Sequence, residues 1–203
     1  MNARRLWIGL AGIVVLALVV AVLASRGGST KKVVAGVEEV RPVTVSGTPL
    51  PPLTDSATDP GVGQVPPTLT GATFDGTPLT IGGDGKAKLV LFVAHWCPHC
   101  QREVPLLVTF LKDHQLPAGV ELLTVSTGVN ADNPNYPPST WLDKEGWTAP
   151  VLADSATSEA ATAWGLPGFP YLVGVDAGGK VVGRVTGEFT TDTFMALAQA
   201  AGG

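Results

Sequence analysis

Cysteine is nearly absent from this chain. Cys97 and Cys100 are the only two in 203 residues, which excludes a scaffold stapled by several disulfides. Charge is scarce as well: charged side chains make up 15% of the residues and hydrophobic ones 45%. With a mean hydropathy of +0.28, that balance excludes a disordered chain, which needs the reverse. Positive charge is not in excess either. Thirteen basic residues face 17 acidic ones, for a net charge of −4, so the basic footprint of a nucleic-acid-binding surface is missing and no nucleic-acid partner is expected. No internal repeat is visible, and the length suits one domain with an extension.

The hydrophobic residues are concentrated near the start. Residues 6–24, LWIGLAGIVVLALVVAVLA, carry no polar or charged side chain. As a helix they would extend ~28 Å, about the hydrocarbon thickness of a bilayer. The run is longer than the apolar stretch of about 7–15 residues in a secretory signal. It therefore reads as an uncleaved transmembrane signal-anchor, with residues 1–5 cytoplasmic, although Val22, Leu23 and Ala24 offer a small-residue cleavage site. Arg4 and Arg5 on one side and Arg26, Lys31 and Lys32 on the other leave the positive-charge balance undecided. Because a short leading tail usually stays inside, the remaining residues are expected outside the cytoplasm, as a single-pass protein of the cell membrane.

Residues 25–66 are rich in Pro, Gly, Ser and Thr, with apolar residues at neither helical nor strand spacing. They read as an extended tether, part of which could pair as an edge strand. Residues 67–203 read as the globular domain. Up to Val45 six basic residues outnumber two acidic ones, whereas beyond it fifteen acidic residues outnumber seven basic ones. The domain is thus acidic and not built to lie on an anionic surface.

Within the domain the pattern predicts a hairpin over 68–81, turning at Asp75-Gly76, and a strand buried on both faces over 88–94, KLVLFVA. A helix should follow over 98–114, with Val104, Leu107, Val108 and Leu111 on its apolar face and Pro105 as a kink. Further strands are expected at 120–125 and 150–152, a hairpin over 171–175 and 181–185, and helices over 139–145, 155–164 and 191–201. Alternating strands and helices imply an α/β domain with a mixed central sheet covered on both faces.

The chemistry is concentrated in Ala94-His95-Trp96-Cys97-Pro98-His99-Cys100, where the buried strand gives way to the helix. That junction puts Cys97 at the helix N-terminus, where free N–H groups and the macrodipole favour a thiolate. Pro98 suits the first turn because its missing N–H would have no partner there. Cys100 lies one turn on, within reach of a small disulfide, so Cys97 reads as the exposed nucleophile and Cys100 as the more buried resolving thiol. His99 between them would add a donor or a positive charge, which stabilises the reduced pair and leans toward an oxidant.

Cys-x-x-Cys after a strand and opening a helix resembles the thioredoxin-like superfamily. Pro105 matches that family's helix-kinking proline, and Trp164-Gly165-Leu166-Pro167-Gly168-Phe169-Pro170-Tyr171 is similar to the segment ending in its cis-proline, here Phe169-Pro170. Trp96-Cys97-Pro98-His99-Cys100-Gln101-Arg102-Glu103-Val104-Pro105 resembles the membrane-tethered TlpA/ResA-like branch, as does the segment from Trp141 to Asp154. The resemblance covers residues 67–203. It implies a redox-active disulfide between Cys97 and Cys100, a substrate groove shaped by Pro170, and a Glu103 that manages the resolving thiol's proton. It implies no diffusible cofactor, protein thiols or disulfides as substrates, and a membrane redox partner that gives or takes the electrons. Two features depart from the pattern. The buried acid of thioredoxin itself is replaced by Leu91, and His99 gives a dipeptide more typical of DsbA-like oxidases, so branch and dipeptide point in opposite redox directions.

Other uses of these residues remain open at this level. The two cysteines with His95, His99 and His114 could serve a tethered metal-binding or metallochaperone module, although structural zinc wants a second ligand pair that is absent. Glu103 could be a solvated helix residue, His95 is expected on the surface at a strand end, and Trp96 and Phe169 could be packing or an apolar rim for polypeptide.

Overall fold

The computed structural model describes residues 36–203. The apolar run at 6–24 and the first part of the expected tether lie outside the described residues. In chain order the elements are β1 (Thr44–Ser46), β2 (Thr68–Ala72), β3 (Pro78–Ile81), β4 (Ala87–Val93), α1 (Pro98–Asp113), β5 (Val120–Ser126), α2 (Pro138–Glu145), β6 (Val151–Ala153), α3 (Glu159–Ala163), β7 (Tyr171–Val175), β8 (Val181–Thr186) and α4 (Thr191–Gly202).

The uninterrupted apolar run makes β4 the centre of the molecule, and all seven of its residues are buried. It pairs parallel with β5 and antiparallel with β7, giving a five-stranded mixed sheet in the order β6-β5-β4-β7-β8. Side chains alternate across the strand. Leu89, Leu91 and Val93 pack toward α1, α2 and α4 with Leu107, Trp141, Phe194 and Leu197. Val90 and Phe92 point the other way, to Leu69, Ile81, Trp164 and the alanines of α3. The helical cover approaches closely at β7, because a Cβ on Gly174 would come within 2.8 Å of Leu197 Cδ1. The expected α/β architecture, with helices on both faces of a mixed sheet, is present.

The hairpin over 68–81 forms as β2 and β3, but it belongs to a second, three-stranded sheet ordered β1-β2-β3. Here the expected boundary at 66/67 departs from the structure, since residues 36–66 are part of the folded unit. β1 pairs with β2 from Thr44↔Thr70 to Ser46↔Thr68. Val43, Leu50 and Leu53 enter the core beside Trp164, and Leu50 N–H donates to Ala163 O at 2.9 Å. Each such burial contributes ~1.5–3 kcal/mol, which helps hold the stretch beyond β1, where no regular hydrogen-bond ladder continues. Prolines separate these apolar residues, so no periodicity betrays them.

The helix expected over 155–164 is shorter for a comparable reason. Asp154 is fully buried, and its carboxylate accepts the N–H groups of Ser155 at 2.7 Å, Ala160 at 2.9 Å and Ala161 at 3.2 Å. Satisfying the first free N–H groups of α3 from outside the helix moves its start to Glu159.

Candidate active site

The cysteine pair is placed by the end of β4. Cys97 N–H donates to Ala94 O at 3.0 Å and Cys97 O accepts from Gln101 N–H at 3.0 Å, which closes the turn and opens the helix in one residue. Cys97 is the N-cap of α1, with φ −73° and ψ 120°, and Pro98 follows inside the first turn. Both cysteines are free thiols. The ordering expected from the sequence holds, though the exposure is small: Cys97 is 5% exposed and Cys100 fully enclosed. Cys97 Sγ faces Phe169 O at 3.9 Å, and Phe169-Pro170 is a cis peptide, as the resemblance implied. Pro170 is buried, so one wall of the cleft beside the sulfur is the start of β7.

The two thiols interact directly. Burial pushes the Cys100 thiol strongly up, opposed by a backbone hydrogen bond at Ala94 and reinforced by Cys97 and the Glu103 carboxylate. A buried thiol is disfavoured as an anion, and the Glu103 carboxylate lies near enough to act on it. Glu103 is 3% exposed rather than solvated, and the spacing of three puts it on the same helix face as Cys100. Its carboxyl is raised above the usual range by burial, with the Phe189 N–H pulling it back and the Glu188 carboxylate adding to the rise.

A raised carboxyl binds its proton more tightly folded than unfolded. Its burial therefore costs stability as pH climbs from about 4.3, the unfolded value, through the folded one. Glu103→Gln, whose amide oxygen can still accept from Phe189 N–H, should be more stable than the parent at pH 8 and lose that advantage at pH 4. Urea midpoints at the two pH values check this, and a gap that does not change with pH contradicts it.

Both histidines beside the pair differ from expectation. His95 is fully buried rather than on the surface. Its Nδ1 lies 2.7 Å from Pro134 O and its Nε2 accepts from Asn130 N–H at 3.3 Å, because the 128–137 segment folds back over the strand end. That segment contains a second cis peptide, Tyr136-Pro137, which no sequence motif announced. His99 is exposed, and its ring nitrogen is engaged elsewhere than at the thiols: Nδ1 lies 2.9 Å from Glu188 Oε1 and 2.9 Å from Arg102 Nη2. Hydrogen bonds from His99 and Arg102 hold the Glu188 carboxyl below its usual range. Glu188 carried no signal in the sequence.

Trp96 and Phe169 form one edge of the cleft. Their rings meet edge to face at 5.7 Å, and Trp96 Nε1 donates to Gly128 O at 2.7 Å. Leu91, at the place of the missing acid, lies in the apolar cluster that includes both cysteines. Among the described residues, no three His, Cys, Asp or Glu side chains form a group able to hold a metal.

The chain is similar to known proteins in sequence and in fold. A thiol:disulfide interchange protein, HelX, of Rhodobacter capsulatus is 32% identical over 112 residues, which are 55% of this chain and 58% of that one. A thiol-disulfide oxidoreductase, ResA, of Geobacillus thermodenitrificans is 29% identical over 108 residues, 53% of this chain and 59% of that one. The matched stretch thus spans less than two-thirds of either relative. Among solved structures, a thioredoxin-family thiol:disulfide interchange protein from Chlorobium tepidum superposes with a TM-score of 0.56 at 27% identity, covering 68% of this chain and 96% of that one. StoA from Bacillus subtilis, at 20% identity, TM-score 0.54 and coverage of 66% and 97%, shows the same fold. The Redoxin family model matches residues 46–200, a stretch that takes in the dithiol and the cis-proline and begins at the last residue of β1, and the chain belongs to the Redoxin family, as a TlpA/ResA-like protein with a thioredoxin-like fold.

Proposed function

We propose that the protein is a thiol-disulfide oxidoreductase that exchanges disulfides with protein substrates outside the cytoplasm, anchored by a single membrane span at residues 6–24. The observation that carries the chemistry is the dithiol at the start of α1, with Cys97 at the cleft beside cis Phe169-Pro170 and Cys100 enclosed behind it.

In the reducing direction the Cys97 thiolate attacks one sulfur of a substrate disulfide and displaces the other as a thiolate, leaving a disulfide between enzyme and substrate. Cys100 passes its proton to Glu103 and attacks Cys97 Sγ, releasing the second substrate thiolate. Two electrons move from the dithiol to the substrate, and the reverse sequence oxidises a substrate dithiol. A membrane redox partner resets the pair, and no diffusible cofactor enters. The apolar rim of Trp96 and Phe169 suits an extended or unfolded polypeptide.

Equilibrating the full chain with glutathione mixtures tests the exchange reading. A reversible Cys97–Cys100 couple is expected, and failure to form one overturns it. A potential of about −270 mV marks a reductant and about −120 mV an oxidant. The placement has its own test in intact cells expressing the full chain with Cys100→Ser. A membrane-impermeant maleimide should label Cys97 without lysis, and labelling only after lysis overturns the extracytoplasmic assignment.

A further inference from the structure

The connector between β8 and α4 touches the redox helix at several consecutive points. Glu188 Oε1 accepts from Arg102 Nε at 2.7 Å and lies 2.9 Å from His99 Nδ1, and Arg102 Nη2 also pairs with it. The next residue, Phe189, donates its N–H to the Glu103 carboxylate. One residue back, Gly187 N–H donates to Pro170 O at 2.9 Å. Three residues thus bond both to the cis-proline and to positions 99, 102 and 103 of α1, bracketing the dithiol.

We infer that Glu188 is a positioning residue for the redox pair, holding His99 clear of Cys97 and thereby lowering the oxidising power of the disulfide. The reading rests on Cys97 and Cys100 being the exchanging pair. The titratable and charged groups around that pair are His99, Arg102 and Glu103 on α1, Glu188 on the connector, and the buried His95 at the end of β4, which is turned to Pro134 O and Asn130 N–H. When Nδ1 of His99 is protonated it donates to the Glu188 carboxylate, and when bare it accepts from Arg102, so in both states the ring is held by the same cluster. Arg102 is neutralised there too. Without the carboxylate the imidazole is free to turn toward the N-terminus of α1, where a donor or a cation favours a Cys97 thiolate. Stabilising the thiolate stabilises the reduced pair, which makes the disulfide easier to reduce. A histidine between the cysteines, the mark of an oxidant in the sequence, is on this view disengaged by one glutamate 89 residues away.

The test measures the glutathione equilibrium of the full chain and the rate of Cys97 alkylation by iodoacetamide at pH 6, for the parent, Glu188→Gln, Glu188→Asp, His99→Asn and the His99→Asn/Glu188→Gln double variant. Glu188→Gln should shift the equilibrium about tenfold toward the dithiol, about 30 mV for a two-electron couple, and alkylate several-fold faster. Glu188→Asp, which keeps the charge, should stay near the parent. The double variant should fall within twofold of His99→Asn alone, because the effect passes through the imidazole. Glu188→Gln within twofold of the parent overturns the inference, whatever happens to its melting temperature. So does an equal shift in both histidine backgrounds, which would mean that the carboxylate acts without the imidazole, directly on the sulfur or through Arg102. A parent that forms no reversible disulfide fails the exchange reading before any variant is compared, so the two failures are distinguishable.

Discussion

Cys100→Ser should accumulate a covalent adduct with a disulfide substrate, while Cys97→Ser forms none and loses turnover altogether. Only one sulfur borders the cleft. Cys97 is 5% exposed beside Phe169 O, whereas Cys100 is fully enclosed, so an incoming disulfide meets Cys97. Release of that substrate depends on Cys100, one helical turn away and already in contact with Cys97. An intramolecular attack of this kind enjoys an effective concentration on the order of 10⁵–10⁸ M when well oriented. Solution thiols at millimolar levels cannot replace it, and turnover should fall at least ~10³-fold by that comparison. Serine fits the space and leaves the mixed disulfide intact. Non-reducing electrophoresis after exposure to a disulfide-bonded protein, with Cys97→Ser as control, reads the result. An adduct on Cys97→Ser, or turnover by Cys100→Ser near that of the parent, would sink the assignment of nucleophile and resolver.

What the sequence revealed depended on whether its signals were local. The run 88–94 announced β4 because a strand buried on both faces has no polar alternation, and Pro98 announced α1 because proline is tolerated in a first turn. The burial of Glu103 was recoverable in principle, since three residues on from Cys100 is the same helix face. The other departures are long-range. Leu50 and Leu53 look like isolated apolar residues among prolines, and only the groove beside Trp164 makes them core. His95 is polar and follows a strand, which reads as exposed until a segment 35–39 residues on supplies Asn130 and Pro134. Glu188 is one acidic residue among many, given meaning only by the fold that brings it to His99. The same holds for Arg184, a lone charge in β8 that is only 2% exposed.

Arg184→Met should destabilise the folded unit by ~3–5 kcal/mol, because it strands a buried carboxylate. Arg184 Nε donates to Asp59 Oδ2 at 2.8 Å, and Nη1 donates to Pro51 O at 2.8 Å and to Tyr171 OH at 3.1 Å. Nη2 also pairs with Asp59 Oδ1, and both side chains of the ion pair are essentially inaccessible. Burial alone would raise the Asp59 carboxyl, but the Arg184 hydrogen bonds and the Gly61 N–H outweigh it and hold the group below its usual range. A depressed carboxyl contributes stability above its unfolded value of about 3.9, and that contribution is lost as pH falls through the folded value. The parent should therefore lose stability on acidification more steeply than Arg184→Met, and the gap between their urea midpoints should narrow below pH 4. Replacing Asp59 by Leu in the Arg184→Met background should recover part of the loss, since the unpaired charge is then gone. A single variant within ~1 kcal/mol of the parent, the range typical of exposed pairs, would mean that water reaches the pair. The latch also bears on the active site. Burial pushes the Tyr171 phenol up to about 12, so it stays a neutral donor to Trp164 O at 3.0 Å while accepting from Arg184. Tyr171 directly follows Pro170. Residues 51–59, read from the sequence as tether, thus brace the strand whose first turn walls the Cys97 cleft, and Arg184→Met should slow disulfide exchange at temperatures where the domain remains folded.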